Sequence, residues 1–293
     1  CDLIEDAEWF DLLEVDIRQA AEGTVLEKAH IQRVSARSGA GLAELKQMLA
    51  EILAGQPIRP DFGRPRLSID RVFSMAGFGT VVTGTLLDGR VNLGDDVVVL
   101  PAEHRGRVRG LQTHKARVET AMPGSRTAVN ISGVEHEKIK RGDVLSIPGK
   151  YAPTQLVDVH FVMQKDASAS LKHNSEVKFF LGAAEVTGKV RLLGGEEECK
   201  PGREGWLQLE LAEAVVAARG DRYILRRPSP GETLGGGEVV DPHPAKRHKR
   251  SSVEVIERLE SLRVGSPRDV LLQAWMVSGI AGVRDTVARS RLT

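Results

Sequence analysis

The stretch Ser74-Met-Ala-Gly-Phe-Gly-Thr-Val-Val-Thr-Gly-Thr-Leu86 holds three glycines at spacings that could cradle a phosphate. A P-loop needs Gly-x-x-x-x-Gly-Lys-[Ser/Thr]. Gly79 and Gly84 have that spacing, but Thr85 and Leu86 stand where the lysine and the hydroxyl residue belong. The dinucleotide pattern Gly-x-Gly-x-x-Gly begins at Gly77 and Gly79. Val82 then takes the place of its third glycine, and β-branched residues follow where a helix should start. Both nucleotide readings fail. What remains is a tight turn over residues 76–79 feeding a strand from Thr80 to Leu86, with Gly84 marking a bulge or a barrel bend.

Other chemistry-bearing residues are dispersed. No Cys/His spacing resembles a metal site, and His104, His114, His136, His160 and His173 are scattered over strand-like segments. Trp9, Trp206 and Trp275 fall in three different segments, which gives no aromatic stacking platform. The run Pro244-Ala-Lys-Arg-His-Lys-Arg250 has four cationic side chains and no carboxylate. By charge alone it is the segment to contact nucleic acid, and equally it is a solvated linker hinged at Pro242-His-Pro244.

These residues sit on elements of changing texture. At 293 residues, with 41% hydrophobic and 28% charged content, the chain has room for two or three folded domains around real cores. An acidic helix is predicted from Asp6 to Ala21. Ile31 to Ala36 is predicted as a short buried strand, Arg37 to Gly41 as a loop, and Leu42 to Leu53 as a helix with Leu42, Leu45, Leu49, Ile52 and Leu53 on one face. That is half of a βαβ unit, closed by a Pro- and Gly-rich linker over 55–65. From Arg66 to Pro242 short alternating runs predict antiparallel barrels, dividing near Tyr151. Gly94-Asp95, Gly142-Asp143 and Gly220-Asp221 each precede a strand, so the glycine permits a tight turn and the aspartate can bond the backbone beyond it. After the basic run, Val253, Ile256, Leu259 and Leu262 form a helical stripe, and Ser266-Pro267-Arg268-Asp269 is a helix start, as in the opening of a helix-turn-helix or winged-helix domain. No apolar stretch reaches membrane-spanning length and no signal peptide opens the chain. Cys1 and Cys199 lie far apart, as expected of a reducing cytoplasm.

An α/β segment followed by two barrels is the order of a translational GTPase. Ser35-Ala36-Arg37, between a predicted strand and a helix, resembles that superfamily's fifth guanine-nucleotide motif, and Cys1-Asp2 resembles the end of its fourth, [Asn/Thr]-Lys-x-Asp. Within the superfamily, Ile69 to Leu86, Val108 to Gln112, Glu119 to Ile131 and Ile139 to Asp143 resemble, in order, the selenocysteine-specific elongation factors. The resemblance covers most of the chain, is strongest from Arg66 to Pro148, and fades in the C-terminal helices.

The resemblance implies a mostly β fold. Residues 1–56 are then the C-terminal remnant of a GTP-binding domain, 64–150 and 151–243 are two consecutive antiparallel β-barrels, and 244–293 are a basic linker with the start of a winged-helix domain. It implies GTP with Mg²⁺ as cofactor of the intact protein, Asp2, Ser35, Ala36 and Arg37 reading the guanine base, and Asp70, Arg71 and Arg126 lining a pocket for the selenocysteine side chain. Selenocysteinyl-tRNA, the ribosome and an mRNA insertion element are the implied partners, in the cytoplasm and away from membranes. The P-loop and switch regions would precede Cys1 and the mRNA-reading domains would follow Thr293, so the chain reads as part of a longer gene product that does not hydrolyse GTP alone. Two guanidiniums would favour an ionised selenolate over a neutral serine hydroxyl. At ~1.5–3 kcal/mol per charge-assisted contact, two give roughly 10² to 10⁴ in discrimination. For that, the strand starting near Arg126 must come beside the first barrel strand. The competing assignments are another tRNA-delivering GTPase, such as elongation factor Tu or the initiation factor, and a plain RNA-binding adaptor without nucleotide chemistry.

Overall fold

The computed structural model describes residues 2–3, 6–57, 59–75, 77 and 79–278. The chain divides into two compact units, Cys1–Ile58 and Arg59–Thr293. In the first, α1 (Ala7–Ala21) starts at Asp6, whose carboxylate accepts a hydrogen bond from the Glu8 backbone N–H at 2.9 Å. The second helix, α2 (Leu42–Ala54), forms as predicted, but Leu49, Ile52 and Leu53 of its apolar face are exposed. The strand expected over 31–36 does not form. A strand needs a ladder partner, and no strand is present among the described residues of this unit. The segment is held instead by Arg33, whose guanidinium bonds Asp11 and Glu14 of α1, each at 2.7 Å.

The second unit opens with a barrel of β1 (Arg66–Met75), β2 (Gly79–Leu87), β3 (Val91–Asn92), β4 (Asp96–Leu100), β5 (His104–Thr113), β6 (Ala116–Val118), β7 (Thr120–Ala121), β8 (Arg126–Ser132) and β9 (Val144–Ser146). The order β4-β9-β1-β2-β8-β5 closes when β5 pairs with β4. β6 extends β5, and β3 pairs with β7. Period-2 alternation fills the interior: Thr127, Val129 and Ile131 of β8 are buried while Arg126 is exposed. A second closed barrel follows from β10 (Thr154–Met163), β11 (Leu171–Lys172), β12 (Glu176–Leu181), β13 (Ala184–Leu192), β14 (Glu198–Cys199), β15 (Glu204–Val215), β16 (Arg222–Arg227) and β17 (Glu232–Asp241). Its order is β10-β15-β13-β12-β16-β17 around Phe161, Phe179, Leu207 and Leu225, with β11 paired to β14 outside it.

The three Gly-Asp pairs build one recurring turn. Gly94, Gly142 and Gly220 have φ of 86°, 97° and 84°, which glycine adopts at no steric cost. Each following carboxylate accepts the backbone N–H three residues earlier: Asp95 from Asn92, Asp143 from Lys140, Asp221 from Ala218, at 2.7–2.9 Å. The bond thus runs back into the turn and not onward into the strand. It closes the corner before β4, β9 and β16 begin.

The barrels pack on each other through Val98, Leu100 and Val144 of the first, Val216 and Ala218 of the second, and Tyr151 between them. Arg66 crosses this seam, bonding Asp88 Oδ2 at 2.5 Å and the Asp221 carboxylate through both terminal nitrogens. Burial acts to lower the Arg66 pKa, but the Asp221 bond and both carboxylate charges outweigh it and leave the guanidinium more basic than usual. Tyr151 Oη donates to Asp88 at 3.0 Å and completes the network.

The basic run is not a hinged linker. His248 is buried against barrel two, its N–H bonding Gln208 at 3.0 Å and its ring bonding Asp158 at 2.7 Å. Arg191 Nε donates to the His248 carbonyl at 2.7 Å, and the Arg250 carbonyl accepts the Gly194 and Gly195 N–H groups. Backbone groups and one imidazole seat the run, so the like charges of its lysines and arginines do not keep it off the barrel. Two helices continue from it, α3 (Val253–Val264), capped by Ser252, and α4 (Pro267–Ser278), opened by the predicted Ser266 and Asp269 pair. Leu259 and Leu262 of α3 bury against Leu193 and Val240 of barrel two and Val270 of α4. The part of the expected C-terminal domain beyond Ser278 lies outside the described residues.

Candidate functional site

Within the first unit, the two stretches carrying the guanine-motif resemblance converge. Ser35 Oγ donates to Asp2 Oδ1 at 2.6 Å and accepts the Ser38 N–H at 3.1 Å. The turn is closed by Ser35 N–H to the Ala40 carbonyl and Gly39 N–H to the Ser35 carbonyl, both 2.9 Å. Ser35 is buried, whereas Ala36 and Arg37 stand exposed on the turn. The Ser35 hydroxyl holds the Asp2 carboxyl below its usual range, so Asp2 is an ionised acceptor at neutral pH beside an exposed turn. That combination fits the donor-rich edge of a purine such as guanine. Cys1 lies outside the described residues.

In the second unit the glycine-rich strand shapes the other site. Gly84 pairs with Ile69, and the β1–β2 register shifts between Ile69 and Arg71, so Asp70 is the extra residue of a β-bulge. A Cβ on Gly84 would lie 2.1 Å from the Ser68 carbonyl oxygen, which explains why this position opposite the bulge is glycine. Ile69 and Val72 pack with the core, leaving both Asp70 and Arg71 outside it. The turn residues Ala76 and Phe78 lie outside the described residues.

Asp70 and Arg126 meet. Both terminal nitrogens of the Arg126 guanidinium donate to the Asp70 carboxylate, one at 3.0 Å, and Thr83 Oγ1 donates to Asp70 Oδ1 at 2.8 Å. The strands are not side by side as expected: β2 lies between β1 and β8, and the Arg126 side chain reaches over it. The Arg126 bond is the largest influence lowering the Asp70 pKa, with Thr83 and the nearby Arg71 charge adding to it against partial burial. Arg71 itself is exposed and makes no hydrogen bond or ion pair among the described residues. The cluster is therefore one oriented cation, one carboxylate that orients it, and one uncommitted cation, with a net charge of +1 from two arginines and one aspartate. With Arg126 56% and Asp70 28% exposed, the ion pair itself adds only about 0.2–1 kcal/mol to stability.

Sequence reasoning missed Thr83, the third member of the cluster. Its place in period 2 of β2, directly opposite Arg71, was a usable signal once the bulge was assigned. No group of three or more His, Cys, Asp or Glu side chains gathers as a metal site among the described residues, and no helix among them is long and apolar enough to cross a membrane.

Residues 79–146 match the family described as elongation factor Tu domain 2, and residues 158–246 match the β-barrel domain of selenocysteine-specific elongation factor. The selenocysteine-specific elongation factor of Desulfomicrobium baculatum is 36% identical over 99% of this chain and 45% of its own length. That of Methanocaldococcus jannaschii is 30% identical over 78% of this chain and 52% of its length. A solved bacterial selenocysteine-specific elongation factor superposes with a TM-score of 0.76 at 27% identity, over 93% of this chain and 43% of that one. The apo SelB of Methanococcus maripaludis gives 0.71 at 27% identity, over 82% of this chain and 57% of its own. The chain thus spans about half the length of the relatives it matches.

Proposed function

From a chain that resembles the selenocysteine-specific elongation factors over nearly its whole length, we propose that it is the barrel-bearing part of a factor that delivers selenocysteinyl-tRNA to the ribosome in a GTP-dependent manner. The observation that carries this reading is the Asp70–Arg126 pair beside an uncommitted Arg71 on the outer face of barrel one. Asp70 holds the Arg126 fork in place, and Arg71 supplies the charge that Asp70 does not cancel. A selenolate is an anion at neutral pH and a serine hydroxyl is not, so a site of net +1 discriminates by charge where shape differs little.

In the same reading Asp2 and the turn from Ser35 to Arg37 hold the guanine base of GTP. Asp2 would accept from its ring N–H and exocyclic amine, and the turn's backbone N–H groups would donate to its carbonyl oxygen. GTP with Mg²⁺, bound in the intact protein, would supply phosphoryl-transfer chemistry, and this chain's part would be to hold the base through Asp2 and the 35–37 turn. Residues 1–56, 64–150, 151–243 and 244–293 then serve as nucleotide-domain remnant, aminoacyl-end barrel, tRNA-arm barrel and lead-in to an mRNA-reading region, working in the cytoplasm.

The test is made on the full-length factor. Arg126→Ala is expected to weaken selenocysteinyl-tRNA binding by roughly 10- to 10²-fold, one charge-assisted bond, while seryl-tRNA binding changes little. Equal losses for the two tRNAs would assign Arg126 to the fold or to the tRNA backbone and remove the pocket. Failure of both tRNAs to bind the unaltered factor would favour the adaptor reading.

A further inference from the structure

We propose that Thr83 is a positioning residue of the Asp70–Arg126 site: its hydroxyl turns the Asp70 carboxylate toward Arg126 and away from Arg71, and so decides which arginine stays available to an anionic ligand. This role in selection rests on the selenolate reading of the site, whereas the hold of Thr83 on Asp70 does not.

Asp70 needs a constraint from outside its own strand. The β1–β2 register steps from Ile69 to Arg71 and passes Asp70 over, so the alternation that aims side chains on a paired strand does not aim this one. Rotation of an aspartate carboxylate about its terminal bond is broad. The bulge also leaves Asp70 and Arg71, adjacent in sequence, both outside the core. Left to itself, the carboxylate has two cations to choose from.

Of the two side chains that hold it, Thr83 is the stiff one. Arg126 is 56% exposed and reaches Asp70 on a long, rotamer-rich stem. Thr83 is β-branched, which restricts its χ1, and it stands on a strand paired on both sides, opposite Arg71 of β1 and Ala128 of β8. Its Oγ1 donates to Asp70 Oδ1 at 2.8 Å, the oxygen that also accepts one Arg126 terminal nitrogen at 3.0 Å, while the other nitrogen donates to Oδ2. Arg126 lowers the Asp70 pKa most and Thr83 lowers it further, as a donor to the ionised carboxylate should. A hydroxyl has a single hydrogen, and here Asp70 holds it, so Thr83 has only lone pairs to offer a ligand. It cannot donate to an incoming anion and acts through Asp70.

Without that hydroxyl the net charge of the cluster would stay the same and its placement would change. A carboxylate swung onto Arg71 would cancel the uncommitted cation and release the Arg126 fork, whose strand lies beyond β2. Attraction depends on the distance between charges as well as on their sum, so the ligand would meet its cation in the wrong place. A threonine present for strand propensity alone predicts otherwise, since valine, its β-branched isostere, would serve as well.

The test compares Thr83→Val, which keeps the shape and removes the hydroxyl, with Thr83→Ser, which keeps the hydroxyl. In the 293-residue chain the Asp70 carboxyl is titrated by NMR. The valine variant should raise its pKa, and the serine variant should leave it near that of the unaltered chain. In the full-length factor, competition between selenocysteinyl-tRNA and seryl-tRNA should show Thr83→Val losing about threefold to tenfold of the discrimination, one hydrogen bond to an ionised group. Thr83→Ser should keep most of it, and Thr83→Val should add little on an Asp70→Ala background, where its intermediary is gone. An unchanged Asp70 titration in the valine variant, a serine variant no better than valine, or a full second loss on the Asp70→Ala background would overturn the proposal. So would unchanged discrimination by Thr83→Val in a factor that does lose it through Arg126→Ala. If Arg126→Ala costs both tRNAs equally, the selenolate reading fails and the role in selection with it, while the titration still decides whether Thr83 holds the carboxylate.

Discussion

Asp158 Oδ2 lies 2.7 Å from His248 Nε2, joining residues 90 positions apart where the 244–250 run covers the outer face of barrel two. Their side chains are 0% and 7% exposed, and Gln208 closes the group by donating to Asp158 Oδ1 at 2.8 Å. Burial pushes the Asp158 carboxyl above its usual range, and the bond from His248 opposes that push. A group of this kind costs stability when a partner is removed, because the remaining buried polar group loses its hydrogen bond and has no water to replace it.

His248→Ala should therefore destabilise the second unit by roughly 1–3 kcal/mol, read as a lower urea midpoint. Adding Asp158→Asn should recover part of the loss, since a neutral amide costs less to bury without the imidazole bond than a carboxylate does. With His248 in place, limited trypsin digestion should spare Lys246 to Arg250. Rapid cleavage within that run in the folded chain would contradict the anchoring.

At Asp70 the sign of the pH dependence follows from its lowered pKa. The folded carboxyl titrates below 3.8, its ordinary value, so the pair's contribution is complete above that pH and is lost as pH falls through the folded pKa. The stability difference between the unaltered chain and Asp70→Asn should be constant from neutral pH to about pH 4 and vanish in more acidic solution. Its plateau should not exceed about 1 kcal/mol, as the pair is exposed. A difference that grew on acidification would reverse the assignment.

Gly84→Ala places a methyl group against the Ser68 carbonyl at 2.1 Å and Leu67 Cδ2 at 2.7 Å. The Ser68 carbonyl cannot retreat without moving β1, so a loss on the order of 1–3 kcal/mol is expected, visible as a lower melting temperature. The bulge should be disturbed as well. On the proposed function this variant should, in the full-length factor, lose tRNA discrimination more than overall tRNA affinity; a wild-type melting curve would show that β1 does not need the glycine.

Asp221→Ala removes the bidentate partner of Arg66 at the barrel seam and leaves Asp88 as its remaining carboxylate. The side chain of Arg66 is 12% exposed, so about 3 kcal/mol or more should be lost. Because this ion pair joins two closed barrels, the unfolding transition should broaden or split as they cease to unfold together. A single sharp transition at the original midpoint would mean that Val98, Leu100, Tyr151 and Val216 hold the seam without it.

Much of the fold was legible along the chain because it is encoded at short range. Period-2 alternation marks the strands of both barrels, and glycine followed by aspartate marks three of their corners. Asp6, Ser252 and Ser266 mark helix starts through bonds to backbone groups two or three residues away. The α2 face was equally legible as a pattern, yet its leucines and isoleucine are exposed, since periodicity says which side is apolar and not whether anything covers it. The segment 31–36 had the composition of a strand and did not become one, because a strand is defined by its partner.

The amino-acid sequence by itself determined the elements, their order, the caps and turns, and the residue types at Asp70, Arg71 and Arg126. Tertiary structure decided which of those residues meet. Arg126 reaches Asp70 across β2 only because the sheet closes in one register, and the bulge opposite Gly84 sets where Asp70 lies. Accessibility was decided the same way. The basic run at 244–250 looked free and is seated on Asp158, Gln208 and Gly194. Charge is a property of a side chain, but its availability depends on what the backbone beneath it is bonded to, and those bonds are made between residues far apart in sequence.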